Sequence, residues 1–550
     1  MKHTILFLFS IFYASCCLSQ SIELIKDIWQ EENDLAITSG SLMSGLTTIN
    51  DRLYFRASDG VDGKKLWVSD GTESGTVAVM ATGGFLGSDD LHMVYFNGSI
   101  FFVQNGALMR LNESTHEVEL IHEAGVKELI GVYLNKLFLE IEEIGSGTEI
   151  WVSDGTPDGT MLLKDINPNA DNSQLLGNRV VLIEHNGVVY FARDDMGTPH
   201  NEELWKTDGT SAGTVKVKEL NTESESFASS FPKHFFIHEG QLYFIAYSSD
   251  TENQQLFRTD GTEEGTVAIA PYEGTLTGFE PVYYDGYWYF SGWRTDCTVQ
   301  GSTALGEAGN NHRVLGVYND RLIVGDSDQQ MLRLYSSDGT LQNTQLLMES
   351  DSQVGFYGPM RFERCHEIDG RLYVLVSKYE TNYRHYGHIW VTDGTPEGTE
   401  QLTPSLDIYV YPFGSENPML TAATVWERNF TVMDDAIYFA GLLEEEVGYE
   451  LYKLNSLPAP IVSVSDESLK PNDLKVFPNP ASEIIQLQNQ GQQIADIQLL
   501  DSRGRSVPLP CEVNSQGQIT FHVHSLPTGV YMIRLMTHLG EVHHTRWIKH

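Results

Sequence analysis

Six copies of one eleven-residue phrase punctuate the chain: LWVSDGTESGT (66–76), IWVSDGTPDGT (150–160), LWKTDGTSAGT (204–214), LFRTDGTEEGT (256–266), LYSSDGTLQNT (334–344) and IWVTDGTPEGT (389–399). Self-similarity at a period of a few tens of residues marks units that cannot bury their own apolar faces and must stack on copies of themselves. The chain is therefore expected to be a repeat array rather than a single catalytic domain.

Within a copy, Leu66, Trp67 and Val68 suit a strand. Ser69-Asp70-Gly71-Thr72 then supplies turn chemistry, with a short acceptor on Asp70 and tolerance of positive φ at Gly71. Asp70 and its equivalents Asp154, Asp208, Asp260, Asp338 and Asp393 are expected to be turn formers whose carboxylates accept backbone N–H bonds. Upstream of the phrases lies a second hairpin signal, a polar pair before an aromatic strand, as in NDRLYF (50–55), HNGVVYF (185–191), HEGQLYF (238–244) and IDGRLYV (368–374). Each unit thus reads as four short antiparallel strands.

Successive turn aspartates lie 84, 54, 52, 78 and 55 residues apart, so the two long gaps are expected to hide worn copies. LMRLNEST (108–115) falls inside the first, and WRTDCTVQGST (293–303) inside the second, with Cys297 in place of the turn glycine. With LYKLN (451–455) as a truncated last copy, the units number nine, as do the upstream hairpins. Four-stranded units of this length predict an all-β fold, a β-propeller of eight or nine blades over 20–455. The last copy lacks an outer strand, while ELIKDIW (23–29) matches MLLKDIN (161–167), a strand that follows a phrase elsewhere. The N-terminal strand is therefore expected to complete the last blade and remove the unpaired edge.

The kelch double glycine and the Gly-His with Trp-Asp pattern are missing, and the sialidase-type Asp box puts its Trp after the Asp, whereas Trp67 precedes Asp70. The phrase resembles the ELWxxDGT repeat family of bacterial surface proteins, a resemblance that covers 22–455 and implies little about activity.

Lys2 and His3 precede the apolar run ILFLFSIFYA (5–14), too short to span a bilayer, so 1–19 reads as a secretory signal cleaved after Ser19. A lipoprotein signal through Cys16 is the alternative, with Tyr13 standing where an aliphatic residue belongs. No other stretch is apolar enough for a transmembrane helix. The chain carries 35 basic and 75 acidic residues, yet 474–550 holds six Lys or Arg against five Asp or Glu. Nearly the whole deficit sits on the repeats, whose surface is expected to repel nucleic acid and anionic lipid. No cofactor is implied. Calcium stays open at Asp59-Gly60-Val61-Asp62-Gly63 and Asp326-Ser327-Asp328, short oxygen-rich loops without the full DxDxDG pattern. Beyond the signal, Cys297, Cys365 and Cys511 remain, an odd number that argues against a disulfide scaffold and leaves a pair between Cys297 and Cys365 open.

Residues 456–473, rich in Pro, Ser and Asp, read as a linker, and 474–550 as short strands with turn signals that suit a small Ig-like β-sandwich. Pro478, Asn479 and Pro480, the turn with Asp501 and Gly504, the run with Gly529 and Tyr531, and Lys549 closely resemble the type A C-terminal sorting domain of the type IX secretion system of the Bacteroidota. The resemblance implies recognition by that machinery, translocation across the outer membrane and a cell-surface or extracellular fate. His522 and His524 fall on one strand face, but without Cys or carboxylate partners at metal spacing they read as exposed strand positions.

No nucleophile elbow, HExxH helix, P-loop or dinucleotide fingerprint occurs. Propeller enzymes gather their catalytic groups from loops of different blades, so spacing does not reveal them. Two stretches stand out as candidates for binding. PVYYDGYWYFSGWRTD (281–296) carries Trp288 and Trp293, although strand alternation directs about half of its aromatics into the core, which puts packing ahead of recognition. KYETNYRHYGH (378–388) lengthens one hairpin with Tyr383, Arg384, His385 and Tyr386. The expected function is a non-enzymatic binding or adhesion protein that recognises glycan or protein through blade loops. The alternatives are an extracellular glycan-active hydrolase or lyase, and a structural component of the surface layer.

Overall fold

The computed structural model describes residues 22–29, 43–79 except 62, 92–168, 181–195, 201–222, 229–274, 280–305, 313–327, 331–340, 343–351, 361–379 except 369, 384–402, 406–409, 430–441 and 450–455 of the repeat region, and seven strands between 475 and 549. The signal, the linker, Tyr383, Pro478, Asn479, Pro480, Asp501 and Gly504 lie outside the described residues. The chain divides into two units, Met1–Pro460 and Ile461–His550.

The first unit is a propeller of nine blades. Eight blades use strands in chain order, and the ninth sheet takes Phe430–Met433, Ala436–Gly441 and Glu450–Asn455 and then Ile22–Lys26 as its outer strand. Leu24 pairs antiparallel with Tyr452 and Glu23 with Lys453, so the chain ends close the ring. Both worn copies are blades: 93–122 and 282–304 each form four strands. Blade 8 departs from the pattern with a fifth strand, Leu406–Tyr409.

The phrase encodes its turn through a fixed set of bonds. In the copy at 256–266, Asp260 Oδ1 accepts from the Thr262 N–H (2.8 Å) and hydroxyl (2.7 Å), and Thr262 Oγ1 accepts from the Gly265 N–H (2.9 Å). Thr259 Oγ1 accepts from the Gly261 N–H at 2.9 Å and meets Thr266 Oγ1 at 2.7 Å. The second glycine is demanded by space, because a Cβ on Gly265 would stand 2.0 Å from Asp260 Oδ1. Where LYSSDGTLQNT has Asn343 instead, its side-chain amide donates to Asp338 Oδ2 at 2.6 Å. The worn copy keeps the turn with Asn112, whose Oδ1 accepts from the N–H groups of Ser114 (3.0 Å) and Thr115 (3.1 Å).

The apolar cores lie between blades, as stacking requires. Tyr190 and Leu204 of blade 4 pack with Phe235, Leu242 and Phe244 of blade 5, and at the seam Ile25 and Ile28 pack with Phe55 and Trp67 of blade 1 and Tyr438 and Leu451 of blade 9. Polar latches accompany this packing. The residue before three phrases is a buried glutamate that takes two successive backbone N–H groups just past an outer strand. Glu149 holds Ile166 and Asn167 (3.0 and 2.8 Å), Glu203 holds Leu220 and Asn221 (3.0 and 3.1 Å), and Glu450 holds Ile28 and Trp29 (3.1 and 3.3 Å). Two residues before each captured pair, Lys164, Lys218 and Lys26 reach across to the carbonyls of Thr214, Thr266 and Thr76 in the next blade at 2.7–2.8 Å.

The second unit comprises a four-stranded and a three-stranded antiparallel sheet, with Gly529 and Lys549 paired across two strands and Tyr531 buried.

Candidate functional site

The repeated aspartates are architectural. The Thr262 hydroxyl and N–H hold the Asp260 carboxyl below the usual carboxylate range, and Thr72, Thr156, Thr210 and Thr340 do the same for Asp70, Asp154, Asp208 and Asp338. Asp393 makes the same bonds with Thr395. The acidic loops are likewise paired with protein cations: Asp59 Oδ2 accepts from Lys65 Nζ at 2.7 Å, and Asp326 lies 3.6 Å from Arg333. Among the described residues, no group of three or more His, Cys, Asp or Glu is placed to hold a metal ion. Cys297 and Cys365 are both free, and burial pushes each thiol up to about 12.

The tryptophans of blade 6 separate. Trp293 is 1% exposed and packs against Tyr272 and Phe290, so it belongs to the core between blades 5 and 6 and not to a binding surface. Strand alternation directs it inward. Trp288 is half-buried, 4.6 Å in ring centroid distance from Phe236 and 5.2 Å from Tyr283, and its Nε1–H donates to His238 Nδ1 at 3.2 Å. Arg384, His385 and Tyr386 are not in a loop. They continue the strand Arg384–Thr392, where His385 pairs with Tyr379 on one side and Ile408 of the fifth strand on the other.

The hydrogen-bond order and the approach of first strands to one another place the first strand of each blade innermost. Among the described residues, the inner strands end in two-residue turns with positive φ, such as Asn50-Asp51, Asn97-Gly98 or Asn319-Asp320. The residue two places before that turn is the site that sequence reasoning missed. There stand Tyr95, Val132, Ile237, Tyr283 and Val317, each 37–45% exposed. Exposed Glu184 and Glu367 occupy the same place in blades 4 and 8, and partly exposed Thr48 and Val432 complete the circuit.

Three of these side chains reach the preceding blade. Thr48 Oγ1 donates to the Val432 carbonyl at 3.1 Å, Glu184 Oε2 accepts from the Leu134 N–H at 2.7 Å, and the Tyr283 ring lies 5.8 Å from that of His238. The nine positions form one ring around the axis, at the end of the inner strands where the turns lie. Counting back two residues from each aromatic hairpin picks out all nine, but only the closed ring shows that they share one end of it.

The second unit decides where this ring works. Residues 475–549 match the secretion system C-terminal sorting domain. The chain is exported by the type IX system to the cell surface or extracellular space. No helix among the described residues is long and apolar enough to cross a membrane. Comparison with curated proteins gives no match.

Among solved structures, similar chains include the extracellular domain of BT4673 from B. thetaiotaomicron (11% identity, TM-score 0.21, covering 92% of this chain and 80% of that one). The β-propeller domain of the Trilobed protease from Pyrococcus furiosus is 11% identical (TM-score 0.30, 66% and 98%). An α-L-arabinofuranosidase from Clostridium thermocellum is 12% identical (TM-score 0.18, 42% and 96%). At those values the likeness says nothing of what this chain binds.

Proposed function

We propose that the exported propeller is a binding module, which holds an extracellular glycan or protein on a rigid ring, and that it performs no chemistry of its own. The observation that carries this reading is the run of exposed apolar side chains at one structural position, Tyr95, Val132, Ile237, Tyr283 and Val317. Exposed apolar groups scattered singly need no explanation, whereas these five recur at one structural position, on the second, third, fifth, sixth and seventh blades, and lie at the same end of the ring. The rest of the repeat supports the same reading, since the aspartates of the six phrases are spent on turns, and Glu149, Glu203 and Glu450 on latches.

The test is a screen of the full exported chain against a glycan array and a panel of purified extracellular proteins. Reproducible binding that falls on Tyr283→Ser, with melting unchanged, supports the module. Turnover of a polysaccharide by the same chain contradicts it.

A further inference from the structure

We infer that the partner at this ring is a protein segment carrying Lys or Arg beside aliphatic or aromatic side chains. The inference rests on the binding reading above and names the class of its ligand. The argument is charge complementarity around an apolar centre. The five exposed apolar positions are interrupted by the carboxylates of Glu184 and Glu367. Just outside them, the two-residue turns present Asp51, Glu239, Asp285, Asp320, Asp434 and Asp435, all exposed, and no described turn residue is basic.

Four cations follow the turns, Arg52, Lys136, Arg321 and Arg371, against the six turn acids and the two glutamates, so the balance stays negative. Lys136 Nζ is turned onto the Gly209 carbonyl at 3.2 Å, and the Arg321 guanidinium onto the Ser336 carbonyl at 3.1 Å. Arg52 and Arg371 are the basic residues left, on blades 1 and 8. An apolar mouth inside an acidic rim disfavours anionic lipid, nucleic acid and acidic glycans through like-charge repulsion. Neutral sugars would satisfy the tyrosines and leave both glutamates without a counter-charge. A cationic segment with apolar side chains uses both features, burying its apolar groups on Tyr95, Tyr283 and the valines while its ammonium or guanidinium groups meet the rim.

The experiment is titration calorimetry on the full exported chain with three short synthetic peptides: alternating lysine and leucine, glutamate and leucine, and lysine and serine. The lysine–leucine peptide is expected to bind, and to weaken as salt screens the rim. The glutamate–leucine peptide is expected not to bind, and the lysine–serine peptide to bind at least about tenfold more weakly, the loss of roughly 1.4 kcal/mol of apolar contact. The double variant Tyr95→Lys/Val317→Lys should lower lysine–leucine affinity by more than about tenfold on the same scale with unchanged melting, because both side chains are exposed. Met161→Lys, at an exposed apolar residue on an outer strand, should leave it unchanged. Equal binding of the acidic peptide, or equal loss in the Met161 variant, overturns the inference. If the chain binds a glycan in the screen but not the lysine–leucine peptide, the inference fails and the binding reading stands. If it binds neither, both fail.

Discussion

The carboxylate of Glu450 accepts a hydrogen bond from the backbone N–H of Ile28 at 3.1 Å, across 422 positions of sequence. The same carboxylate takes the Trp29 N–H, so one side chain seats the strand that closes the ring. Glu450→Ala leaves two N–H groups without their acceptor and is expected to cost about 2–5 kcal/mol. Glu450→Gln keeps one acceptor oxygen and should cost less. Chemical denaturation with hydrogen exchange on 22–29 checks this: the amides of that strand should lose protection before those of blade 5.

Stability should fall as pH rises from about 4.5 to 7 through the buried glutamates. Burial pushes Glu149 and Glu203 up from 4.5 to about 7, so in that window the folded chain binds more protons than the unfolded one. Their contribution is fully present below pH 4.5 and lost as pH passes about 7. The turn aspartates act in the opposite sense and lower down: their depressed carboxyls contribute above 3.8 and lose it in stronger acid. Urea midpoints at pH 5 and pH 7.5 should differ in that direction, and Glu203→Gln should shrink the difference whatever its absolute stability.

The two glycines and the aspartate of a phrase can be ranked. Asp260→Asn retains the Oδ1 acceptor, as Asn112 does in blade 2, and is expected to lower the melting temperature less than Asp260→Ala. Gly261→Ala should cost more than either, because it forces a side chain into φ +86 with Cβ 2.5 Å from Tyr190 Oη. Thermal melts of the three variants give the order. A large loss in the Asn variant would show that the carboxylate charge, not its acceptor geometry, matters.

Much of this ring was legible because its signals are local. A strand-turn-strand phrase needs Asp260, Thr262 and Gly265 within six residues, and the match of ELIKDIW with MLLKDIN exposed the closure. The blade count of eight or nine resolves to nine because Asn112 and Cys297 keep their turns despite lost consensus. The binding surface was less legible. Trp293, weighed between packing and recognition, lies in a core, and Arg384 to Tyr386, expected in a lengthened hairpin, continue a strand. Val132 and Val317 gave no signal, since an exposed valine in a strand reads like a buried one until neighbouring blades are placed. Glu149 and Glu203 carry no local sequence signal, because their partners are backbone amides 17 and 18 residues away.

The native thiols should be inert. With both pushed up to about 12, Cys297 and Cys365 hold almost no thiolate at pH 8, and the Cys365 Sγ–H donates to the Leu315 carbonyl at 3.3 Å. Iodoacetamide at pH 8 followed by peptide mass analysis should leave both unmodified in the folded chain and alkylate both in urea. Rapid native labelling of either would contradict this placement.

The account stands on the ring being closed by its two chain ends, and a cysteine pair tests that directly. Glu23 and Lys453 face each other across the antiparallel ladder of the ninth blade, a spacing a disulfide spans without backbone movement. In the Glu23→Cys/Lys453→Cys variant, mild oxidation should give one bridge within a single chain, identified by mass spectrometry as residue 23 joined to residue 453, in folded protein and not in urea. Folded chains that leave those two thiols free, or join them only between molecules, would contradict the closed ring.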